Sequence, residues 1–209
     1  MSMRLIKLAT TAMPISFLCM IFLLVSFNDT AHAQMTMTVK ADVVNMRGPI
    51  GGNECDELWL LLQKNKNIKT VELQASNGGK AGSGRCTGLL IRRYKLNTIA
   101  IGHCVSACSS MWLGGVTRKL SGPKSYVGLH GTYNADEKKE LSPRFIKLKD
   151  IWVINLAPDV DRTLLQQWLN LPLTKQVMRF YQDRAELCDG RDCTPIAGRN
   201  IKNAGLSTE

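Results

Sequence analysis

An α/β fold with a mostly parallel sheet and crossover helices is what this sequence predicts, and two observations predict it. Short apolar runs of strand character, at residues 69–75, 97–101 and 125–130, alternate with stretches of helical spacing. Sharp breakers end the runs: Arg47-Gly48-Pro49 after the first strand, and Ser76-Asn77-Gly78-Gly79 after the second.

Taken in order, the chain opens with Arg4 and Lys7 ahead of an apolar run over residues 12–27. Ala31-His32-Ala33 then offers small residues at the two positions a signal peptidase reads, so a signal peptide over residues 1–33, cleaved before Gln34, is expected. Leu18 precedes Cys19 where a lipoprotein signal needs a small residue. The run is short for a spanning helix, although an uncleaved membrane anchor stays open. The exported location this implies is periplasmic, and residues 34–209 form the expected single domain.

Residues 39–46 read as the first strand. Asn53 stands where it would cap a helix over residues 54–64, with Glu54, Asp56 and Glu57 in the first turn and Lys64 in the last. Cys55, Leu58, Trp59, Leu61 and Leu62 make its apolar stripe. The strand at 69–75 leads through the Gly-Gly break to a helix carrying Cys86, Leu89, Leu90 and Ile91. The strand at 97–101 runs into Gly102, and small residues then open another helix before the strand at 125–130. Residues 131–149 are polar and read as a surface loop or lid. Val160, Leu164, Leu165, Trp168 and Leu169 give an amphipathic helix ending before Pro172. Residues 175–181 read as helical, and the last helix is expected to begin near Pro195.

The formal charge is +10 for the whole chain; the leader holds two basic residues and one acidic, leaving +9. Its basic residues are dispersed, with pairs such as Arg92-Arg93 and Lys138-Lys139 rather than a tract, so a solvated face is expected and no nucleic-acid partner. Beyond the leader stand six cysteines, Cys55, Cys86, Cys104, Cys108, Cys188 and Cys193, an even number suited to disulfides in an oxidising compartment. Their pairing is open, except that Cys188 and Cys193 bracket a short polar loop and are expected to clasp it. Cys104 and Cys108 flank Ser106, and with His103 they could be read as metal ligands; the spacing fits no common zinc pattern, so no metal and no cofactor are expected.

Ser106 carries the chemistry under one reading. A hydroxyl in the first turn of a helix can attack a carbonyl and leave the oxyanion near backbone N–H groups. The other reading is a strand-to-helix turn where Ser caps and Ala packs. Beyond the leader only His103 and His130 are available as bases of near-neutral pKa. His130, at a strand end, is either the base or a buried, satisfied ring.

The order strand, Ser-Asn-Gly-Gly, helix with Gly88, strand, Gly-x-x-x-Ser-Ala, helix, strand ending in His resembles the peptidase subunit of the Clp protease. It is more similar still to the exported relatives that carry Cys-x-Ser-Ala-Cys. The resemblance implies a ClpP/crotonase-like spiral of strand-strand-helix units. It implies a serine peptidase with Ser106 as nucleophile and, 24 residues on, His130 as base. Gly78 and Gly79 match the family's Pro-Gly-Gly turn, with Asn77 in place of proline, and with the N–H of Ala107 would form the oxyanion hole. The family's acid lies a few residues before a helix-opening Pro, which points to Asp189, six residues before Pro195, with Asp192 and Asp183 as alternatives. Peptides or unfolded chains are the implied substrates, without an ATPase partner, since ATP is scarce outside the cytoplasm; a homo-oligomer is compatible. Two other readings remain: a catalytically inactive ClpP-like binding module, and a thiol or metal site on Cys104, Cys108 and His103.

Overall fold

The first two strands already depart from expectation. In the computed structural model, which describes residues 34–131, 133–134, 139–140, 143–172 and 176–209, β1 (Thr36–Lys40) and β2 (Val43–Arg47) form a hairpin rather than one strand. Ala41 adopts φ 55° in the turn between them, a left-handed conformation that reverses the chain. The helix α1 (Glu54–Lys64) follows, then β3 (Thr70–Ser76), α2 (Ala81–Arg93), β4 (Asn97–Val105), α3 (Ala107–Leu113) and β5 (Arg118–Leu129). Two short strands, β6 (Tyr133–Asn134) and β7 (Lys139–Glu140), pair with each other before α4 (Pro143–Leu156) and α5 (Arg162–Leu169). The chain closes with β8 (Gln176–Phe180), β9 (Ala185–Asp189) and β10 (Asp192–Pro195). Among the described residues these make one eight-stranded sheet and five helices.

The sheet order is β1-β2-β3-β4-β5-β8-β9-β10, and here the expected mostly parallel sheet is corrected. Only the three central pairings, β2 with β3, β3 with β4 and β4 with β5, are parallel; the other four are antiparallel. The reason is connectivity. The single-helix crossovers from β2 through β5 return the chain to run parallel, whereas the tight turns between β1 and β2, β8 and β9, and β9 and β10 permit only antiparallel pairing. The two-helix connection through α4 and α5 brings β8 back antiparallel to β5. Residues 176–180, expected as helix, form β8, where Met178 and Phe180 alternate inward at the period of a strand. Pro195 opens no helix: it ends β10 at the sheet's edge, where a missing N–H costs least, and only turns follow. The polar segment read as a loop over residues 131–149 lies partly outside the described residues; its second part belongs to α4. The expected signal peptide, residues 1–33, lies outside them altogether. Among the described residues no helix is long and apolar enough to cross a membrane.

Helices and the inward sheet face share one core, with Trp112, Phe180, Met46, Leu58 and Leu73 fully buried. The helices α2 and α3 approach backbone to backbone through glycine: a Cβ at Gly84 would strike the Ala107 carbonyl, and one at Gly88 that of Ser110. Arg118, 3% exposed, donates from Nε to the Leu206 carbonyl at 2.6 Å and from Nη1 to those of Gly115 at 3.0 Å and Leu156 at 3.1 Å. It thus ties the ends of α3 and α4 to the C-terminal tail, and burial pushes its pKa down to about 10. All six cysteines among the described residues are paired. Cys55–Cys86 (S–S 2.03 Å) joins α1 to α2, Cys104–Cys108 (2.09 Å) spans the β4–α3 turn, and Cys188–Cys193 (2.13 Å) clasps the β9–β10 hairpin as expected. Such bonds are compatible with an oxidising compartment.

Candidate active site

Because β3, β4 and β5 run parallel, their C-terminal ends share one edge of the sheet. Residues 76–79 leave β3 there, Ser106 leaves β4, and His130 leaves β5.

Ser106 is the single residue between β4 and α3, at φ 61° and ψ −122°. An L-residue with a side chain rarely adopts that backbone, at a strain of about 1–3 kcal/mol, and such strain clusters at functional turns. The neighbours over-determine it. The Ser106 N–H donates to the Gly128 carbonyl at 3.0 Å, extending the β4–β5 ladder by one bond. The Ser106 carbonyl accepts from the Ser109 N–H at 3.0 Å and from Ser109 Oγ at 2.5 Å. The Cys104–Cys108 bond straddles the turn, with Cα atoms 5.1 Å apart.

The Gly78-Gly79 turn lies directly against this serine. A Cβ at Gly78 would stand 2.7 Å from Ser106 Cβ, 2.7 Å from the Val105 carbonyl oxygen and 2.9 Å from Ala107 N, so only glycine fits. Gly78 and Gly79 both hold positive φ, 93° and 147°. The Ile50 N–H donates to the Gly78 carbonyl at 2.9 Å, and the Lys80 N–H to the Ile50 carbonyl at 3.0 Å. Successive peptide groups of an extended strand point to opposite sides, so Gly79 turns its own N–H away from Ile50. Ala107, buried, begins α3 next to the serine.

His130 is half-buried just past β5, with Nδ1 2.5 Å from the Gly131 carbonyl oxygen. Its own carbonyl accepts from Trp168 Nε1 at 2.9 Å and Lys149 Nζ at 3.4 Å, and that ammonium sits 4.3 Å over the Trp168 ring. A Cβ at Gly131 would meet the Leu171 carbonyl at 2.5 Å, so the segment just after α5 fastens this corner closely. Burial lowers the His130 pKa and the Lys149 charge adds to that, while the Gly131 carbonyl opposes. Burial, with Arg85 nearby, pushes Lys149 down to about 7.

Other expected residues stand apart. Asp189 is exposed at the end of β9, in register with Gln176 on β8, so β8 lies between it and β5. Asp192 faces Asp189 across the next hairpin, one strand further out. Asp183 lies in the β8–β9 turn, paired with Arg184 at 3.1 Å, at the far end of those strands. His103 stacks on Tyr126, ring centroids 6.2 Å apart, and burial with Arg179 lowers its pKa. Cys104 and Cys108 are bonded to each other, which removes them as thiolate ligands. Three contributors are not marked in the sequence: Lys149 and Trp168, which hold the His130 carbonyl, and Glu54, which reads only as an acidic residue in a helix first turn.

No protein-family model and no curated protein matches this sequence. Solved structures do match. ClpP1 from Listeria monocytogenes superposes with a TM-score of 0.53 at 13% identity, over 80% of this chain and 89% of that one. A mutant of the same protein gives 0.50 at 14% over the same shares. A mutant of the 1510-N membrane-bound stomatin-specific protease gives 0.47 at 15%, over 64% of this chain and 72% of that one. At these identities the ClpP likeness is one of fold, and it agrees with the mixed α/β architecture described above.

Proposed function

We propose that this chain is an exported Clp-like serine hydrolase acting on peptides. The observation that carries the proposal is the strained Ser106 turn with the Gly78-Gly79 backbone packed against it. In this reading Ser106 Oγ attacks the substrate carbonyl while His130 Nε2 takes the hydroxyl proton. An Nδ1–H directed at the Gly131 carbonyl keeps the lone pair on Nε2, the tautomer a base requires. The N–H groups of Gly79 and Ala107 receive the oxyanion. Collapse of the tetrahedral adduct passes the proton from His130 to the leaving amine, and water then hydrolyses the acyl-Ser106 ester. The orienting role expected of Asp189 is assigned here to the Gly131 carbonyl, since β8 separates Asp189 from His130.

Short peptides or already unfolded chains are the proposed substrates, taken without an ATPase partner, and a homo-oligomer is compatible with this reading. A fluorophosphonate probe tests the reading: it labels the wild-type protein at Ser106, and Ser106→Ala abolishes the label. Wild-type protein that stays unlabelled, or a label that survives the substitution, overturns it. The separation of Asp189 from His130 favours one second reading, a binding module of the same fold that holds peptides without turnover.

A further inference from the structure

The start of α1 holds a carboxylate that the proposed mechanism does not use. Glu54 is fully buried, at 0% exposed. Its Oε1 accepts from the Gly51 N–H at 2.6 Å, and its Oε2 from the Gly52 N–H at 2.9 Å and Ser83 Oγ at 2.5 Å. Burial alone would raise the pKa of this group; the Ser83 hydroxyl and the glycine N–H groups outweigh it and hold the carboxyl below its ordinary value. No cation is among these partners. A buried charge held by hydrogen bonds alone is costly unless every bond is kept, so it fixes the geometry of what it holds.

What it holds is both flanks of the Gly78-Gly79 turn. On one side, Gly51 and Gly52 directly follow Ile50, the residue that grips the turn through the Gly78 carbonyl and the Lys80 N–H. On the other, Ser83 lies in the first turn of α2, four residues after Gly79. One residue along, the Cys55–Cys86 bond ties the same two helices. Room for adjustment is small. A Cβ at Gly79 would strike the Ile50 carbonyl, and one at Gly52 would stand 3.2 Å from Lys80 Cδ.

We infer that Glu54 is a positioning residue for the oxyanion hole: through the Gly51-Gly52 amides it sets Ile50, and through Ile50 it aims the Gly79 N–H at the substrate carbonyl. The inference rests on the hydrolase reading. Glu54→Gln keeps the volume but turns an NH₂ donor toward groups that are themselves donors.

In the full-length protein, Glu54→Gln is expected to lower kcat on a peptide substrate, and the rate of fluorophosphonate labelling, by about 10- to 100-fold, because the hole acts on the transition state. KM should change little. Amide exchange should accelerate at residues 50–52 and 79–83 and stay unchanged in β4. A folded Glu54→Gln protein with wild-type kcat and labelling, or one whose loss lies wholly in KM, overturns the inference. Should that variant fail to fold, Ser83→Ala removes one bond and leaves the carboxylate; a smaller loss in kcat with the same local exchange supports the inference, and wild-type kcat overturns it. A wild-type protein inert to the probe sinks the hydrolase reading itself. Exchange at Ile50 and Lys80 in Glu54→Gln then decides whether the carboxylate holds the turn: faster exchange there shows that it does, and unchanged exchange ends the inference outright.

Discussion

The parallel centre of the sheet and its antiparallel C-terminal wing bring distant residues together in different ways. In the centre, crossover helices start every strand from the same end, so Ser76, Val105 and Leu129 close β3, β4 and β5 on one edge. Residues many positions apart in sequence then become neighbours one strand spacing apart. In the wing, hairpins send alternate strands the other way. Asp189 does return to the same edge, but two strand spacings from β5, about 10 Å away. A strand, β8, therefore stands between that carboxylate and β5. The lesson is that a parallel sheet gathers consecutive strand ends, whereas a meander gathers every second one and leaves a strand between.

The sharpest way to break this contrast is to add one methyl group to each region. Gly78→Ala places its Cβ 2.7 Å from Ser106 Cβ at a φ of 93°, and should cost about 3 kcal/mol and all fluorophosphonate labelling. Gly190→Ala, in the β9–β10 turn at φ 62° with nothing within 4 Å, should cost only about 1 kcal/mol and leave labelling intact. Denaturant midpoints and labelling rates on both proteins check this; equal effects would erase the distinction.

Disulfides come next. Replacing Cys188 and Cys193 together by Ala should remove about 2 kcal/mol, as expected for so short a loop, without slowing the reaction of Ser106 with the probe. Replacing Cys104 and Cys108 should slow that reaction at least tenfold, because their bond braces the strained turn. A wing pair that proved as important to labelling would tie the wing to the site.

Ser106→Gly should raise stability by about 1 kcal/mol while abolishing labelling, since glycine adopts φ 61° freely. A drop in stability would mean that the turn is not strained, and thermal melting reads the sign.

The last effect is a pH dependence. Lys149 titrates near 7 in the folded protein, well below an ordinary lysine, so between those values the unfolded chain binds the extra proton and stability rises with pH. Lys149→Met should therefore gain stability relative to the wild type at pH 6 compared with pH 9. A difference between the two proteins that does not vary with pH refutes the lowered value.

How much was legible in the sequence follows the same division. The alternation of strand and helix through β5 could be read locally, with breakers after β2 and β3, Arg47-Gly48-Pro49 and Ser76-Asn77-Gly78-Gly79, marking where those strands stop. The edge that Ser106 and His130 share follows from that alternation. In the wing, Val177, Met178, Phe180 and Tyr181 suit a helical stripe about as well as a strand, and only pairing with β5 and β9 decides between them. Glu54 carries an ordinary first-turn signal; its burial depends on Ser83, 29 residues later, and on the shape of a glycine loop. Lys149 looks like any other lysine until Trp168 and the His130 carbonyl close around it.

The disulfides have a consequence for how the molecule is made. Each joins a cysteine to the next one along the described chain: Cys55 to Cys86, Cys104 to Cys108, Cys188 to Cys193. A polypeptide threaded N-terminus first into an oxidising space would find its correct partner simply by taking the next thiol to emerge. Maturation then needs an oxidant but no shuffling of wrong pairs, the step that slows many disulfide proteins to minutes or hours. The order also has a meaning for the site. The bond around Ser106 can close once Cys108 has emerged, 22 residues ahead of His130, so the strained turn is braced before the end of β5 has emerged.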